Sequence, residues 1–395
     1  MKQRILILFL LVISLSTCID PFYLELEDYE SLLVVEGLIT DEAASNTIKL
    51  TRTFKNADGS PVMVSNAEVS VQDENGVITL FHEDEPGIYL SDPTQFTGRI
   101  GGTYSLHIRT ADGLEYVSDV CTMKAVPGID SLYYEPDSEF YDNGTLEEAG
   151  LRVYLDTDNR DEACPYMRWE FEEVWKFRVP YPLLVEDLGY REYKTKHVEN
   201  DICWRYEQSN QILVYSSEEE SSELISRKPI QFINPGRSSR LLRQYSIQVR
   251  QYSLSREEFS FLNNLREITE SEGDIFEKQP FPIEGNIRCT NNEYVNVLGY
   301  FQVSAVKSQR IYITRSQADA LELPVYEYPC DRIIWHRWRY QEVIYRNLLK
   351  DGYVLFWVEE DDFGMPVSFQ FTAAECADCT LTGKLEEPDF WVDME

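Results

Sequence analysis

Residues 67–81 read AEVSVQDENGVITLF, and this stretch decides the fold class. Apolar and polar side chains alternate over residues 67–72, which is the period of a β-strand with one buried face. Residues 73–76, DENG, are typical of a tight turn, because Asp and Asn accept local backbone hydrogen bonds and Gly adopts positive φ. Residues 77–81 then supply a returning strand. The stretch therefore predicts an antiparallel hairpin.

Similar alternation occurs on both sides of this hairpin. The strand patterns cover residues 32–40, 46–53, 104–109 and 114–120, the last two joined by the turn Ala111-Asp112-Gly113. Short strands at intervals of about 8 to 12 residues, with no helical period among them, are typical of an antiparallel sandwich. We therefore expect an immunoglobulin-like or transthyretin-like β-sandwich over residues 31–125.

A second, larger domain is expected over residues 126–395. Ala125-Val126-Pro127-Gly128 marks the boundary, because Pro and Gly interrupt regular structure. Strand patterns follow at residues 151–155, 166–176, 244–252, 295–306 and 353–358. Residues 180–240 are rich in Pro, polar and acidic side chains and are expected to form long excursions outside the core. The fold class is therefore mainly β, with two β-rich domains.

One α-helix is expected near residues 255–272, inserted between strands of the second domain. Ser255 lies three residues before Glu258, which is the spacing of a capping box. Leu254 and Phe259 have the spacing of a hydrophobic staple. Apolar residues then continue at helical intervals.

The N-terminal sequence predicts a lipoprotein signal peptide over residues 1–17. A short positive segment precedes residues 5–15, an apolar run too short to span a bilayer as a helix of about 20 residues. The run ends in Leu15-Ser16-Thr17-Cys18, which resembles the lipobox of bacterial lipoproteins, whose cysteine sulfur carries a diacylglyceryl group. Thr17 departs from the usual Gly, Ala or Ser, and an ordinary secretory signal cleaved elsewhere is the alternative. Residues 18–30 are acidic and are expected to form a tether.

Cys18 is thus expected to attach the protein to the outer membrane through its lipid. The cysteine is followed by Ile19 rather than Asp, and in lipoproteins that pattern implies passage to the outer membrane. Acidic residues soon after the cysteine resemble the surface-export signal of Bacteroidota lipoproteins, with a solvated linker as the alternative. We therefore expect a lipid-anchored protein that faces the cell surface.

The composition excludes one class of partner. The net charge is -33 at pH 7, and 43% of the residues are apolar. A field of this sign repels phosphate backbones, so we expect no nucleic-acid binding. An anionic bilayer surface would repel the chain as well, and membrane attachment is therefore expected to depend on the lipid.

The cysteines indicate an oxidising compartment. Cys376-Ala377-Asp378-Cys379 could be half of a zinc site, a redox pair or part of a disulfide framework. Zinc would need two more ligands at suitable spacing, and a second CxxC or an HxxxH is absent from the sequence. We expect no metal, and structural disulfides that join Cys376 and Cys379 to distant cysteines such as Cys203, Cys289 or Cys330.

The remaining candidate chemistry is weak. Residues 156–161 begin like a calcium loop, but Arg160 stands where a ligand belongs and Asp161 where the turn needs Gly. Residues 359–362, EEDD, offer carboxylates for glycoside hydrolysis, yet Asp and Glu are 69 of 395 residues, so such pairs occur by chance. A GxSxG motif is absent from the sequence. We expect no enzyme activity and no cofactor.

Two further stretches concern recognition and modification. Residues 335–340, WHRWRY, combine aromatic side chains with Arg, which are frequent at binding hot spots. Trp335, Arg337, Trp338 and Arg339 are therefore candidates for a recognition surface, although the alternation of a half-buried strand explains them as well. Asp130-Ser131-Leu132 resembles the short O-glycosylation acceptor of Bacteroidota, which makes Ser131 a candidate acceptor.

Several short motifs, taken in order, resemble one family. They are residues 33–41 (LVVEGLITD), Ile129-Asp130-Ser131, Leu298-Gly299-Tyr300-Phe301, the CADC at 376–379 and the PDFW at 388–391. Together they resemble the Bacteroidota lipoproteins of domain-of-unknown-function 4249 over nearly the whole mature chain. The resemblance implies outer-membrane lipoproteins often encoded beside large TonB-dependent transporters, and it brings no catalytic residues.

We therefore expect a non-enzymatic outer-membrane lipoprotein that acts as an accessory or ligand-capturing partner of a TonB-dependent transporter. A surface hydrolase acting on glycans or peptides and a purely structural envelope protein are the alternatives.

Overall fold

The computed structural model describes residues 31–53, 61–141, 144–160, 164–218, 224–270, 283–339 and 341–394. The predicted signal peptide at 1–17, Cys18 and the tether at 18–30 lie outside these residues. Within them the protein is mainly β, as predicted, with several sheets and three α-helices. No helix in this part of the chain is long and apolar enough to cross a membrane.

The N-terminal strands form a sandwich that approaches a closed barrel. Its strands are β1 (Leu33–Thr40), β2 (Thr47–Arg52), β3 (Val62–Met63), β4 (Glu68–Asp73), β5 (Ile78–Glu85), β6 (Ile88–Leu90), β7 (Thr103–Arg109), β8 (Glu115–Ser118) and β9 (Cys121–Thr122). Antiparallel pairing runs in the order β8-β7-β4-β5, continues through β6 and reaches β2 and β1. We call this unit the N-terminal sandwich.

The hairpin predicted from residues 67–81 is confirmed. Val69 lies opposite Phe81, and both side chains are buried. In the turn, the Asp73 carboxylate accepts a hydrogen bond from the Val77 amide at 2.9 Å, and Gly76 has a φ of 78°. The alternation in this stretch therefore directs the apolar face into the core, as its period requires.

The rest of the chain contributes fifteen further strands among the described residues. They are β10 (Ser131–Tyr141), β11 (Leu146–Asp158), β12 (Tyr166–Arg178), β13 (Val185–Gly189), β14 (Glu192–Thr195), β15 (Ile202–Gln208), β16 (Leu213–Ser216), β17 (Leu224–Ile233), β18 (Tyr245–Ser253), β19 (Ile287–Cys289), β20 (Val297–Ser304), β21 (Val306–Ile313), β22 (Ile333–His336), β23 (Tyr353–Glu360) and β24 (Pro366–Ala373).

Two of these strands return to the N-terminal sandwich. β20 pairs with β1 in parallel, and β19 pairs with β8 in antiparallel fashion. Gly299 lies opposite Val35 with a φ of 94°, and a Cβ atom there would lie 2.0 Å from the Val35 carbonyl oxygen. Only glycine permits this approach of the two backbones. The pairing joins segments far apart in the sequence, which local alternation does not predict.

The centre of the molecule contains two more sheets. β10, β11 and β17 form one, while β15, β12, β18 and β21 form the other, with β16 also on β12. One continuous cluster of buried side chains includes Leu33 of β1, Leu151 of β11 and Ile247 of β18. The core of the N-terminal sandwich is therefore continuous with that of the central sheets.

The expectation that residues 180–240 lie outside the core is wrong for three strands in that range. β15 and β16 pair with β12, and β17 pairs with β11. Cys203, Tyr215 and Ile230 are buried. The polar and acidic side chains of this range lie mainly in its connecting segments. Its strands have apolar residues at the positions that face the core.

The three helices are α1 (Arg256–Glu270), α2 (Arg315–Asp319) and α3 (Glu342–Lys350). α1 confirms the predicted helix, although residues 271 and 272 of the predicted range lie outside the described residues. The Ser255 amide donates to the Glu258 carboxylate at 2.6 Å, and the Glu258 amide donates to the Ser255 hydroxyl at 3.1 Å. Leu254 and Phe259 share one buried cluster. The capping box and the staple therefore fix the start of α1.

A small lobe is formed by β13, β14, β22, β23, β24 and α3, and we call it the C-terminal lobe. The strands β22, β24 and β23 form one antiparallel sheet. Its separate core contains Val185, Leu355 and Phe371. The Tyr345 hydroxyl of α3 donates to Asp187 of β13 at 2.9 Å, which joins the helix to the β13–β14 hairpin.

Candidate functional site

Two disulfides join cysteines within the described residues, Cys203–Cys379 and Cys330–Cys376. The expectation that both CADC cysteines join distant partners is confirmed. Cys289, the third candidate partner, forms no disulfide with any other described residue: it is half-buried in β19 against β8, and both CADC cysteines are already paired. Cys203–Cys379 holds the C-terminal tail against β15, where the Trp204 amide also donates to the Lys384 carbonyl at 2.8 Å, and Cys330–Cys376 joins the tail to the segment before β22.

The candidate recognition residues lie at one edge of the C-terminal lobe. Trp335 is half-buried against the core of that lobe, as the strand interpretation predicts. Arg337, Trp338 and Arg339 are exposed in the turn after β22, where Trp338 is 76% exposed and stacks on His336. The strand interpretation thus fits the residues up to 336, and the last three candidates lie together on the surface.

Ser131 lies in β10, and its hydroxyl donates to the Asp156 carboxylate at 2.9 Å. The residue is half-buried. A sugar on this oxygen would replace that hydrogen bond, and O-glycosylation of Ser131 stays a prediction. Asp156 also accepts a hydrogen bond from the Arg227 amide at 2.7 Å, so this first acid of the calcium-like loop serves to join strands.

A ligand-sized groove lies between α1 and the outer face of β1 and β20. It has a cavity volume of about 780 Å³, within the range of about 300 to 1,000 Å³ typical of small-molecule sites. Its apolar walls are Phe261, Leu262, Leu265 and Ile268 of α1, Val34 and Leu38 of β1, Leu298 of β20, and Ile283. We call it the α1 groove.

The groove arises from the way α1 packs. Glu258 and Phe259 in its first turn are buried, whereas the later apolar residues are only partly covered. Phe261 touches Tyr300 of β20, with 4.8 Å between the ring centroids. The helix is therefore fixed at its start and leaves its apolar stripe facing an open space above the sheet.

Charged residues occupy part of the lining. Arg168 of β12 is only 7% exposed, and its guanidinium lies over the Tyr252 ring at 4.0 Å. One terminal nitrogen of Arg168 donates to Glu170, while its Nε is buried without a hydrogen-bond partner among the described residues. Lys49 and Glu36 form a more exposed ion pair of 3.0 Å on the neighbouring strands.

Burial suppresses ionisation beside the groove. Burial raises the pKa of Glu258, against hydrogen bonds from the Ser255 and Val303 amides and the charge of Arg168. Burial is also the main reason why the pKa of Tyr300 is raised, and the charge of Glu258 is the second. The same two causes, in the same order, raise the pKa of Cys121 to about 12. The phenol and the thiol therefore stay protonated at neutral pH, in which form they are poor nucleophiles.

The arrangement is suited to binding an elongated apolar body with one polar end. The groove lining includes no histidine, and no group of three or more His, Cys, Asp or Glu side chains able to hold a metal occurs in the described part of the chain. The sequence predicts α1 and β1 separately. The sequence does not predict the groove itself, because the groove depends on β20 lying beside β1. The one local signal is an apolar helical stripe that extends beyond the first turn of α1.

Comparison with known proteins identifies the family. The family model "Domain of unknown function (DUF4249)" matches residues 19–310, and the chain belongs to this family. Every residue that lines the α1 groove falls within the matched range, whereas most of the C-terminal lobe lies beyond it. A search of curated proteins finds no match.

Proposed function

We propose that this DUF4249 protein is a non-enzymatic binding protein that captures an apolar ligand in the α1 groove. The observation that carries the proposal is a cavity of about 780 Å³ with apolar side chains on both walls and a few charged groups. Largely apolar, concave sites with few polar groups are the usual form of small-molecule binding sites.

The proposal extends to where the protein acts. A lipid on Cys18 would hold it at the outer membrane, on the cell-surface side, next to a TonB-dependent transporter. Tethering two proteins to one membrane gives effective concentrations of about millimolar, so a weak interface with the transporter suffices. The groove would then present its ligand to the transporter without chemical change.

Ligand capture is tested with the full chain carrying Cys18→Ser, purified without detergent, and the neutral fluorescent probe N-phenyl-1-naphthylamine. We expect saturable binding, and Leu265→Glu should weaken it at least about tenfold, because a buried carboxylate in an apolar site is strongly unfavourable. Asn264→Glu is the matched control, since residue 264 is exposed on the same helix. Equal probe binding by both variants would refute capture in the groove.

The anchor is tested separately. Cys18→Ala should move the protein from the outer-membrane fraction to the soluble fraction and abolish incorporation of labelled fatty acid. Membrane retention of the variant would remove the basis of the tethering mechanism.

Partnership is tested by affinity isolation of the tagged protein from gently solubilised outer membrane, followed by mass identification of co-isolated proteins. We expect a TonB-dependent transporter. Recovery of the protein alone would contradict the transporter proposal and leave ligand capture to be judged by the probe experiment.

A further inference from the structure

We infer that the α1 groove takes a single-chain amphiphile whose polar head is a carboxylate, and that Arg168 binds this head. The inference rests on the proposed capture function and adds the chemical class of the ligand. It is carried by the polarity of the groove along its length and by Arg168, a lining arginine whose carboxylate partner Glu170 is half-exposed.

The groove differs between its two ends. Leu38 of β1 lies opposite Gln302 of β20, and the next residue of β20, Val303, donates its amide to Glu258 at 3.2 Å. This end therefore lies beside Glu258 in the first turn of α1. Arg168 is close to the same place, because its charge affects the pKa of Glu258.

The opposite end is apolar. Val34 lies opposite Leu298, and Ile268 near the end of α1 also lines the groove. From Val34 to Leu38 the strand covers about 13 Å at about 3.3 Å per residue. An extended chain of about ten carbons spans that length and passes the exposed Lys49–Glu36 pair at its middle, so the groove fits an alkyl tail on the α1 side with a polar head at the Arg168 end.

Arg168 has donors to offer at this end. A guanidinium has five N–H donors, and the partners of Arg168 are the Glu170 carboxylate and the face of Tyr252. Its Nε has no hydrogen-bond partner among the described residues but is buried, so a ligand would use the terminal nitrogens. A planar guanidinium matches a carboxylate particularly well.

A head with one negative charge can take the place of one lining carboxylate. The lining contains Arg168 and Lys49 together with Glu170 and Glu36. The Glu170 side chain is 47% exposed, whereas that of Arg168 is 9% exposed. A ligand carboxylate can therefore replace Glu170 on Arg168 while Glu170 turns to water, which leaves the buried charge unchanged.

The experiment measures displacement of N-phenyl-1-naphthylamine from the Cys18→Ser chain by dodecanoate and by dodecanol. We expect dodecanoate to compete at least about tenfold more tightly than dodecanol, and Arg168→Met to abolish that difference while it retains dodecanol binding. Arg168→Lys should restore it in part, since the charge remains but the planar fork is lost. Glu170→Gln should tighten dodecanoate binding, because it removes the competing carboxylate.

Chain length provides a second measure. From octanoate to decanoate, each added CH2 should tighten binding about fourfold, as expected for burial of apolar surface.

Each outcome bears on a distinct claim. Equal competition by dodecanoate and dodecanol in the unchanged protein overturns the carboxylate assignment and leaves capture of apolar ligands intact. Tighter competition by a lysophosphatidylethanolamine than by dodecanoate assigns the head to a lipid phosphate and likewise overturns it. Absence of probe binding refutes the proposed function itself.

Retained dodecanol binding by Arg168→Met shows that this variant is folded. If dodecanoate binding also survives in Arg168→Met and is lost in Lys49→Met, Arg168 is not the head-binding residue.

Discussion

Removing the Cys203–Cys379 disulfide should destabilise the protein more than removing Cys330–Cys376. The bonded cysteines are 176 residues apart in the first pair and 46 in the second. A cross-link stabilises chiefly by restricting the unfolded chain, and the restriction grows with the logarithm of the loop length. The relation gives about 5 kcal/mol for the first disulfide and about 4 kcal/mol for the second.

The measurement is the free energy of unfolding in urea, followed by tryptophan fluorescence. Trp204 lies next to Cys203 and its ring contacts Trp391 of the tail, so two of the seven tryptophans report on the region held by the first bond. The variants replace both cysteines of a pair by Ser, to avoid leaving a reactive thiol. Cys289→Ser is the control, because Cys289 forms no disulfide in the part of the chain that the structure describes.

Two results would refute this reasoning. One is a loss below about 1 kcal/mol for either pair, which would place the stabilisation outside the range usual for native disulfides. The other is a clearly larger loss for Cys330–Cys376, which would show that local contacts of the C-terminal lobe outweigh loop closure.

Three further predictions concern stability. Gly299→Ala should destabilise the protein by at least about 2 kcal/mol in urea unfolding, because an added Cβ meets the neighbouring backbone at 2.0 Å; an unchanged midpoint would contradict the close approach of β1 and β20. Glu173→Ala should destabilise the protein by about 3 to 5 kcal/mol, because Arg240 is largely buried and would lose its most buried carboxylate partner, which lies 3.0 Å away. Recovery of stability in the double variant Glu173→Ala, Arg240→Met would confirm this cause. The hydrogen bond from Arg152 holds the pKa of Asp137 below its ordinary value of 3.8. The stability that this carboxylate contributes is therefore present above about pH 3.8 and is lost as the pH falls through the pKa of the folded state. Thermal melting between pH 2 and 5 should show a smaller acid-induced loss of stability for Asp137→Asn than for the unchanged protein.

The local elements follow from the sequence because their causes are local. The hairpin at residues 67–81 combines a period of two with a turn rich in Asp, Asn and Gly, and its register matches that pattern. The start of α1 is equally local, because Ser255 and Glu258 satisfy each other's amides across three residues. Patterns of this kind are complete within a short stretch of sequence.

The candidate site does not follow from the sequence in the same way. The α1 groove needs β1 beside β20, and Arg168 of β12 reaches it from a different sheet. The choice of Cys203 and Cys330 over Cys289 as disulfide partners depends on which strands lie near the tail. Such pairings between distant segments are decided by the total packing of the molecule, and strand periodicity contains no information about them.

The parallel pairing of β1 with β20 has a consequence for how the chain acquires its structure. During synthesis at about 5 to 20 residues per second, Ser304 follows Thr40, its register partner, after roughly 15 to 50 s. Throughout that interval the apolar strand LVVEGLIT has one unpaired edge, which is a template for association with other chains. A nascent chain of this topology would therefore benefit from a chaperone that covers its first strand until the last quarter of the protein has emerged.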